Sequence, residues 1–184
     1  IKTNTERLRK YRRNILELLL ANHCRDCTTC NNNGKCKLQD LAVRFNILDV
    51  RFPNTAEKPL IDDSSACITR DAHKCILCGD CVRMCNEIQN VGAIDFAHRG
   101  SKMTISTAFG RPIADSPCVG CGQCAAVCPT GAIIVKNDSR KVWKALDDEN
   151  TKVTAQIAPA VRVALGKELG MADGENAMGK IVAV

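Results

Sequence analysis

The chain has 184 residues, 45% hydrophobic and 25% charged, with a formal net charge of +6. That is ordinary globular composition with room for one or two domains. No run of eighteen apolar residues exists, and the longest candidate, Ile15 to Ala21, is broken by Glu17, so no membrane-spanning helix is expected. The polar, basic opening carries no secretory pattern.

Thirteen cysteines against only six aromatic residues call for a core that is aliphatic or built round something other than side chains. Twelve of the thirteen fall in three tight groups with gaps of two, three or five residues. Cys-x2-Cys neighbours make poor structural disulfides and good metal clamps, because both sulfurs can turn toward one centre. Inorganic cofactors in a reducing cytoplasm follow. Such cofactors also rewrite the charge: clusters held by thiolates bring the loaded protein to about +1, so the formal basicity is weak evidence for nucleic acid.

In chain order, residues 5–21 have the spacing of an amphipathic helix. Thr5 is its cap, Leu8, Tyr11, Ile15, Leu18 and Leu19 form the apolar face, and Arg7, Lys10, Arg13 and Glu17 are polar positions. The first metal candidate follows at once. Two ligand sets fit it: His23-x3-Cys27-x2-Cys30-x5-Cys36, or Cys24 in place of His23. The Asn33-Gly34 turn folds the chain back so that Cys36 reaches the centre. Residues 38–50 read as a second helix with Leu38, Leu41, Ala42, Phe45 and Leu48 on one side, and residues 52–65, with Pro53 and Pro59, as a connecting loop. Cys67 stands alone and is assigned no role.

An internal repeat comes next. Cys75-x2-Cys78-x2-Cys81-x3-Cys85 recurs 43 residues on as Cys118-x2-Cys121-x2-Cys124-x3-Cys128, followed by Pro129. Each copy is trailed by Gly-Ala-Ile, at Gly92-Ala93-Ile94 and Gly131-Ala132-Ile133, with four extra residues in the first. This is the run of bacterial two-cluster ferredoxins, in which the fourth cysteine of each copy serves the other cluster. A zinc ribbon would space its Cys-x2-Cys knuckles a dozen or more residues apart. The expected sets are Cys75, Cys78, Cys81 and Cys128 for one [4Fe-4S] cluster, and Cys118, Cys121, Cys124 and Cys85 for the other. Gly79, Gly120 and Gly122 are expected to let backbone N–H groups approach the cluster sulfurs. Short strands are expected near 94–96, 103–107 and 133–135.

Beyond Cys128, residues 139–149 read as a helix capped by Ser139, with Val142, Trp143 and Leu146 on one face. Residues 152–157 read as a strand, 159–169 as a helix and 179–184 as the start of a further element.

The order of a His-x3-Cys-x2-Cys-x5-Cys site, a two-cluster module and then the stretch Thr154 to Gly170 closely resembles the [FeFe]-hydrogenase large subunits, over nearly the whole chain. The resemblance implies that His23, Cys27, Cys30 and Cys36 are the first ligand set, with Cys24 a spectator. It implies three [4Fe-4S] clusters and an α+β chain in three parts. These are a small helical domain with a histidine-ligated cluster (1–66), a ferredoxin-like two-cluster domain (67–138), and the first βα elements of an α/β catalytic domain (139–184). Family members hold their catalytic H-cluster with later cysteines, and many begin with a [2Fe-2S] domain; both are expected only outside these residues, making the chain a piece of a longer subunit. The implied role is cytoplasmic electron relay between the H-cluster and a soluble ferredoxin or a flavin-containing NAD(P)H-oxidising subunit of a multi-subunit complex. No residue here is expected to be catalytic. The alternative is an electron-transfer subunit of a formate dehydrogenase or NADH dehydrogenase-type complex with no hydrogen chemistry. A metal-stabilised nucleic-acid binder is set aside for its wrong zinc spacing and scarce aromatics.

Overall fold

The computed structural model describes residues 1–54 and 61–183; Pro59, read above as part of a connecting loop, and Val184 lie outside them. Packing divides the chain into two units, 1–136 and 137–184. The first holds both the histidine-containing segment and the repeat.

Helix α1, Glu6–Ala21, opens on Thr5, whose hydroxyl accepts the Leu8 N–H at 3.3 Å. Its buried face is not the one the apolar spacing predicts. Leu16, Glu17 and Ala21 are buried, whereas Tyr11, Ile15 and Leu18 stay largely exposed. The cause is an ion-pair cluster: Glu17 lies between Arg13 (3.3 Å) and Arg51 (2.6 Å), and Arg51 also donates to Asn14 at 2.8 Å. Together the two guanidiniums, Arg51 first, hold the Glu17 carboxyl below the usual carboxylate range against its burial. Helix α2 spans Lys37–Arg44, shorter than expected, because Asn46 takes a left-handed φ of +48° and turns the chain out. Leu38 is its buried residue; Leu41 and Leu48 are exposed.

Among the described residues four strands build two antiparallel pairs. β1 (Ile68–Arg70) pairs with β4 (Ile133–Val135) in the register Ile68↔Val135, Thr69↔Ile134 and Arg70↔Ile133. β2 (Asp95–Ala97) pairs with β3 (Thr104–Ser106), Phe96 opposite Ile105. β2, β3 and β4 fall where short strands are expected, and β1 is an addition. Between the pairs lie the short helices α3 (Asp80–Arg83), which runs on as a π-helical turn over Met84–Ile88, and α4 (Gln123–Ala126). That wide turn contains Cys85 and takes up part of the first copy's extra length. The core gathers Ile68, Cys81, Val82, Ile94, Ile105, Ile113 and Ile133, with Cys75, Cys85, Cys118 and Cys124 packed against it. It is aliphatic, as the scarcity of aromatics requires.

In the second unit, α5 covers Ser139–Leu146, but Asp138, not Ser139, is its cap residue. Val142, Trp143 and Leu146 do share a face, and it is exposed. Residues 152–157 form no strand, and the expected helix over 159–169 shrinks to α6, Val161–Ala164, flanked by turns. The last element, α7, is Met178–Ala183. Among the described residues no helix is long and apolar enough to cross a membrane.

Candidate metal centres

The two copies of the repeat fold as matching loops. Leu77 (φ +57°) and Gly120 (φ +68°) hold the position before the second cysteine of each, and Gly79 (φ +79°) and Gly122 (φ +71°) the position after it. Two left-handed residues flanking one cysteine reverse the chain tightly, and the next cysteine then falls in the first turn of α3 or α4. Gly92 and Gly131 match as well, both at φ +69°. At Gly120 a side chain is excluded twice over, since a Cβ there would also sit 2.7 Å from Cys67 Sγ. Cys67, without a role in the sequence reading, thus packs on the second loop.

Cys75, Cys78, Cys81 and Cys128 line one small cavity of about 20 Å³. The first three come from one copy and the last from the other, the crossed set expected from the repeat. Ile76, Ile105, Ile133, Ala72, Ala132 and Pro129 make the walls mostly apolar. Burial pushes the Cys81 thiol up to about 12, reinforced in turn by Cys75, Cys128, Cys78 and Cys124. The Cys124 thiol is pushed up to about 11, first by burial, and its thiol neighbours are Cys118, Cys121 and Cys85, the second crossed set. Such groups are poor thiolates unless a cation replaces their protons, which iron does on binding. Amide N–H groups already point at sulfur: Leu77 donates to Cys75 and Ala93 to Cys85, each at 3.4 Å. Soft donors in fours, with apolar walls and amide donors to sulfur, suit iron–sulfur clusters. None of the thirteen cysteines, all among the described residues, is in a disulfide.

In the histidine-containing segment, His23, Cys27 and Cys36 line a second cavity together with Leu20, Leu38 and Ile47. His23 is 8% exposed; its Nδ1 accepts the Arg25 N–H at 3.1 Å, and Nε2 is fully buried. Burial raises the Cys27 thiol, and Cys36, Cys30 and Cys24 raise it further. Cys24 is anchored by its backbone N–H to the His73 carbonyl at 3.0 Å.

This loop docks on the end of the repeat. Lys37 N–H and Asn32 Nδ2 both donate to the Pro129 carbonyl, at 3.1 and 3.3 Å, and Gly131 lies so close that a Cβ would meet Asn32 Cβ at 2.7 Å. Pro129 directly follows Cys128. On the other side the buried Thr130 hydroxyl donates to the Lys74 carbonyl at 2.6 Å. Cysteine spacing does not announce this seam; the Pro129-Thr130-Gly131 stretch is its trace in the sequence.

Comparison with known proteins defines the class first. Residues 12–51 match the NADH-ubiquinone oxidoreductase-G iron-sulfur binding region, and residues 74–132 match the 4Fe-4S dicluster domain. The chain therefore carries iron–sulfur binding regions of the 4Fe-4S kind. Among individual proteins, it is 43% identical over 183 residues to the NADP-reducing hydrogenase subunit HndD of Solidesulfovibrio fructosivorans, covering all of this chain and 31% of that one. It is 35% identical over 136 residues to the NADPH-Fe(3+) oxidoreductase subunit alpha of Geobacter sulfurreducens, covering 74% of this chain and 16% of the relative. A solved NAD+-reducing [NiFe]-hydrogenase in the H2-reduced state superposes with a TM-score of 0.66 at 30% identity, over 72% of this chain and 57% of that one. The chain thus spans about a third or less of the length of these curated relatives.

Proposed function

We propose that these residues are the electron-relay part of a longer NAD(P)-linked oxidoreductase subunit. They would hold three [4Fe-4S] clusters: one on His23, Cys27, Cys30 and Cys36, one on Cys75, Cys78, Cys81 and Cys128, and one on Cys118, Cys121, Cys124 and Cys85. The observation that carries the reading is the single cavity lined by Cys75, Cys78, Cys81 and Cys128. When bound, the clusters supply one-electron oxidation and reduction, while the protein supplies position and electrostatics. The chain's own residues set the order. Pro129 and Thr130 tie the histidine site to the cavity containing Cys128, and the crossed cysteines tie that cavity to the second loop. Gly79, Gly120 and Gly122 shape the two loops, and the parts would be 1–66, 67–138 and 139–184.

The full subunit is read as an [FeFe]-hydrogenase in a cytoplasmic, multi-subunit complex that exchanges electrons with a ferredoxin or a flavin-containing NAD(P)H-oxidising subunit. Likeness to a hydrogenase subunit over the whole chain supports this. The second reading is an NADH dehydrogenase-type subunit without hydrogen chemistry, which the match over residues 12–51 favours. Hydrogen-dependent dye reduction by the intact, metallated complex separates them. Activity selects the first; its absence in a fully loaded sample selects the second. Iron and sulfide analysis of the same sample tests the relay itself, with at least about twelve of each expected, the share of three cubanes.

A further inference from the structure

β1 places Arg70 among the residues that line the cysteine cavity. Side chains alternate along a strand, so Ile68 and Arg70 share its buried face, and Arg70 is only 8% exposed. It lines the same cavity as Cys75, Cys78, Cys81 and Cys128. Its backbone is held on both edges: Arg70 and Asp62 exchange N–H···O bonds at 2.9 and 2.8 Å, and Ile133 is its cross-strand partner. The Asp62 carboxylate is engaged elsewhere, accepting from Ser64 N–H (3.1 Å), Ser64 Oγ (2.6 Å) and Ile113 N–H (2.9 Å). Among the described residues no carboxylate closes an ion pair on Arg70. Burial pulls its pKa below the usual arginine value, while Asp62, Cys75 and Cys81 pull it back.

A buried cation whose neighbouring carboxylate, Asp62, is hydrogen-bonded elsewhere gains from a further counter-charge. Four thiolates round an oxidised cubane core leave a net negative charge, and reduction adds one electron more. The repeat marks the difference between the two sites: 43 residues on from Arg70 stands Ile113, 2% exposed and apolar. We propose that Arg70 is the resident counter-charge of the cluster held by Cys75, Cys78, Cys81 and Cys128, and that it raises this cluster's reduction potential. The proposal rests on the relay reading above. Arginine remains protonated in both oxidation states, so the electron is taken up at this cluster without a proton.

The test is an EPR-monitored redox titration of the intact, anaerobically purified subunit in its complex, comparing wild type, Arg70→Gln and Arg70→Lys. In Arg70→Gln one midpoint falls and the other two hold. The electron-sharing ratio between that cluster and its neighbours shifts about tenfold, which is about 59 mV for a one-electron couple. Arg70→Lys retains most of the wild-type value. An unmoved midpoint in Arg70→Gln overturns the proposal, and so does a fall in Arg70→Lys equal to that in Arg70→Gln, which would mean packing rather than charge. Should Arg70→Gln not load with iron, Asp62→Asn supplies the converse: removing the opposing carboxylate must raise one midpoint, and no change overturns the idea. Absence of [4Fe-4S] signals from wild type would instead overturn the relay reading itself.

Discussion

The two copies of the cysteine repeat share a backbone and differ in what surrounds it. Both reverse direction through left-handed residues at matching positions, both put their third cysteine in the first turn of a short helix, and both end in a buried Ala-Ile. Around the first loop the chain sets a buried guanidinium, a wide π-helical turn and a leucine in left-handed conformation. Around the second it sets an isoleucine, a plain helical turn and a glycine pressed by Cys67. Spacing decides which sulfurs can meet. The potential and the tolerance of each site come from neighbours that the cysteine pattern does not specify.

The crossing of the two sets gives the largest expected effects. Removing iron should unfold the region from β1 to β4, since its core is small and the cysteines are packed into it. Loss of circular dichroism on anaerobic chelation checks this, and a retained spectrum would mean that the aliphatic core suffices. Cys128→Ser should disturb more than Cys121→Ser, although both remove one sulfur. Cys128 joins the second copy to the first copy's cavity and adjoins the Pro129 seam, whereas Cys121 is exposed and serves its own loop. Iron analysis should give about four atoms fewer in each variant. The melting temperature should fall further for Cys128→Ser, and equal falls would argue against the crossed assignment.

Next in size is the pair Gly120→Ala and Gly122→Ala. Both place a Cβ on left-handed backbone, at about 1–2 kcal/mol each. No protein atom lies within 4 Å of a Cβ at Gly122, whereas at Gly120 the new Cβ also meets Cys67 Sγ at 2.7 Å. Denaturant unfolding should therefore rank Gly120→Ala as the more destabilised. Adding Cys67→Ala should recover the excess and leave the left-handed cost. No recovery would mean that the thiol yields easily and the contact is soft.

Much of this architecture was legible because cysteine spacing is a covalent constraint. The strands after each Gly-Ala-Ile and the Thr5 cap follow from local pattern. Elsewhere tertiary electrostatics overrode it. α1 buries Glu17 rather than Ile15 because Arg51, 34 residues away, comes back to pair with it. The alternation of Ile68-Thr69-Arg70 was visible, but only the pairing with Ile133 turns Arg70 inward. Residues 152–157 had strand composition and found no partner strand, so composition alone did not make one.

Glu17 also offers a probe of the histidine-containing segment that leaves the repeat alone. Its carboxyl is held below the usual range by Arg51 and Arg13, so its stabilising contribution is fully present above the ordinary Glu pKa and is lost as pH falls through the lowered folded value. Arg51 and Arg13 are themselves well exposed, which screens the pair. Glu17→Gln should accordingly lower the melting temperature less than Gly120→Ala, and the difference from wild type should shrink in acid. A difference independent of pH would assign the effect to packing.

The smallest effect is expected where the first loop departs from the second. Leu77 sits at φ +57°, a conformation costing a non-glycine residue about 1–2 kcal/mol, and Leu77→Gly would copy Gly120 and relieve it. Against that gain stand the glycine's extra freedom in the unfolded chain, about 0.5–1 kcal/mol, and the loss of a side chain only 37% exposed. These terms offset, so the net change should stay within about 1 kcal/mol, and the Leu77 N–H remains available to Cys75 Sγ. Unfolding curves and iron content near those of wild type are the expected outcome. A loss well beyond that range would show that the leucine side chain packs the loop into place, and that the first copy keeps its strained residue for contacts the second copy does without.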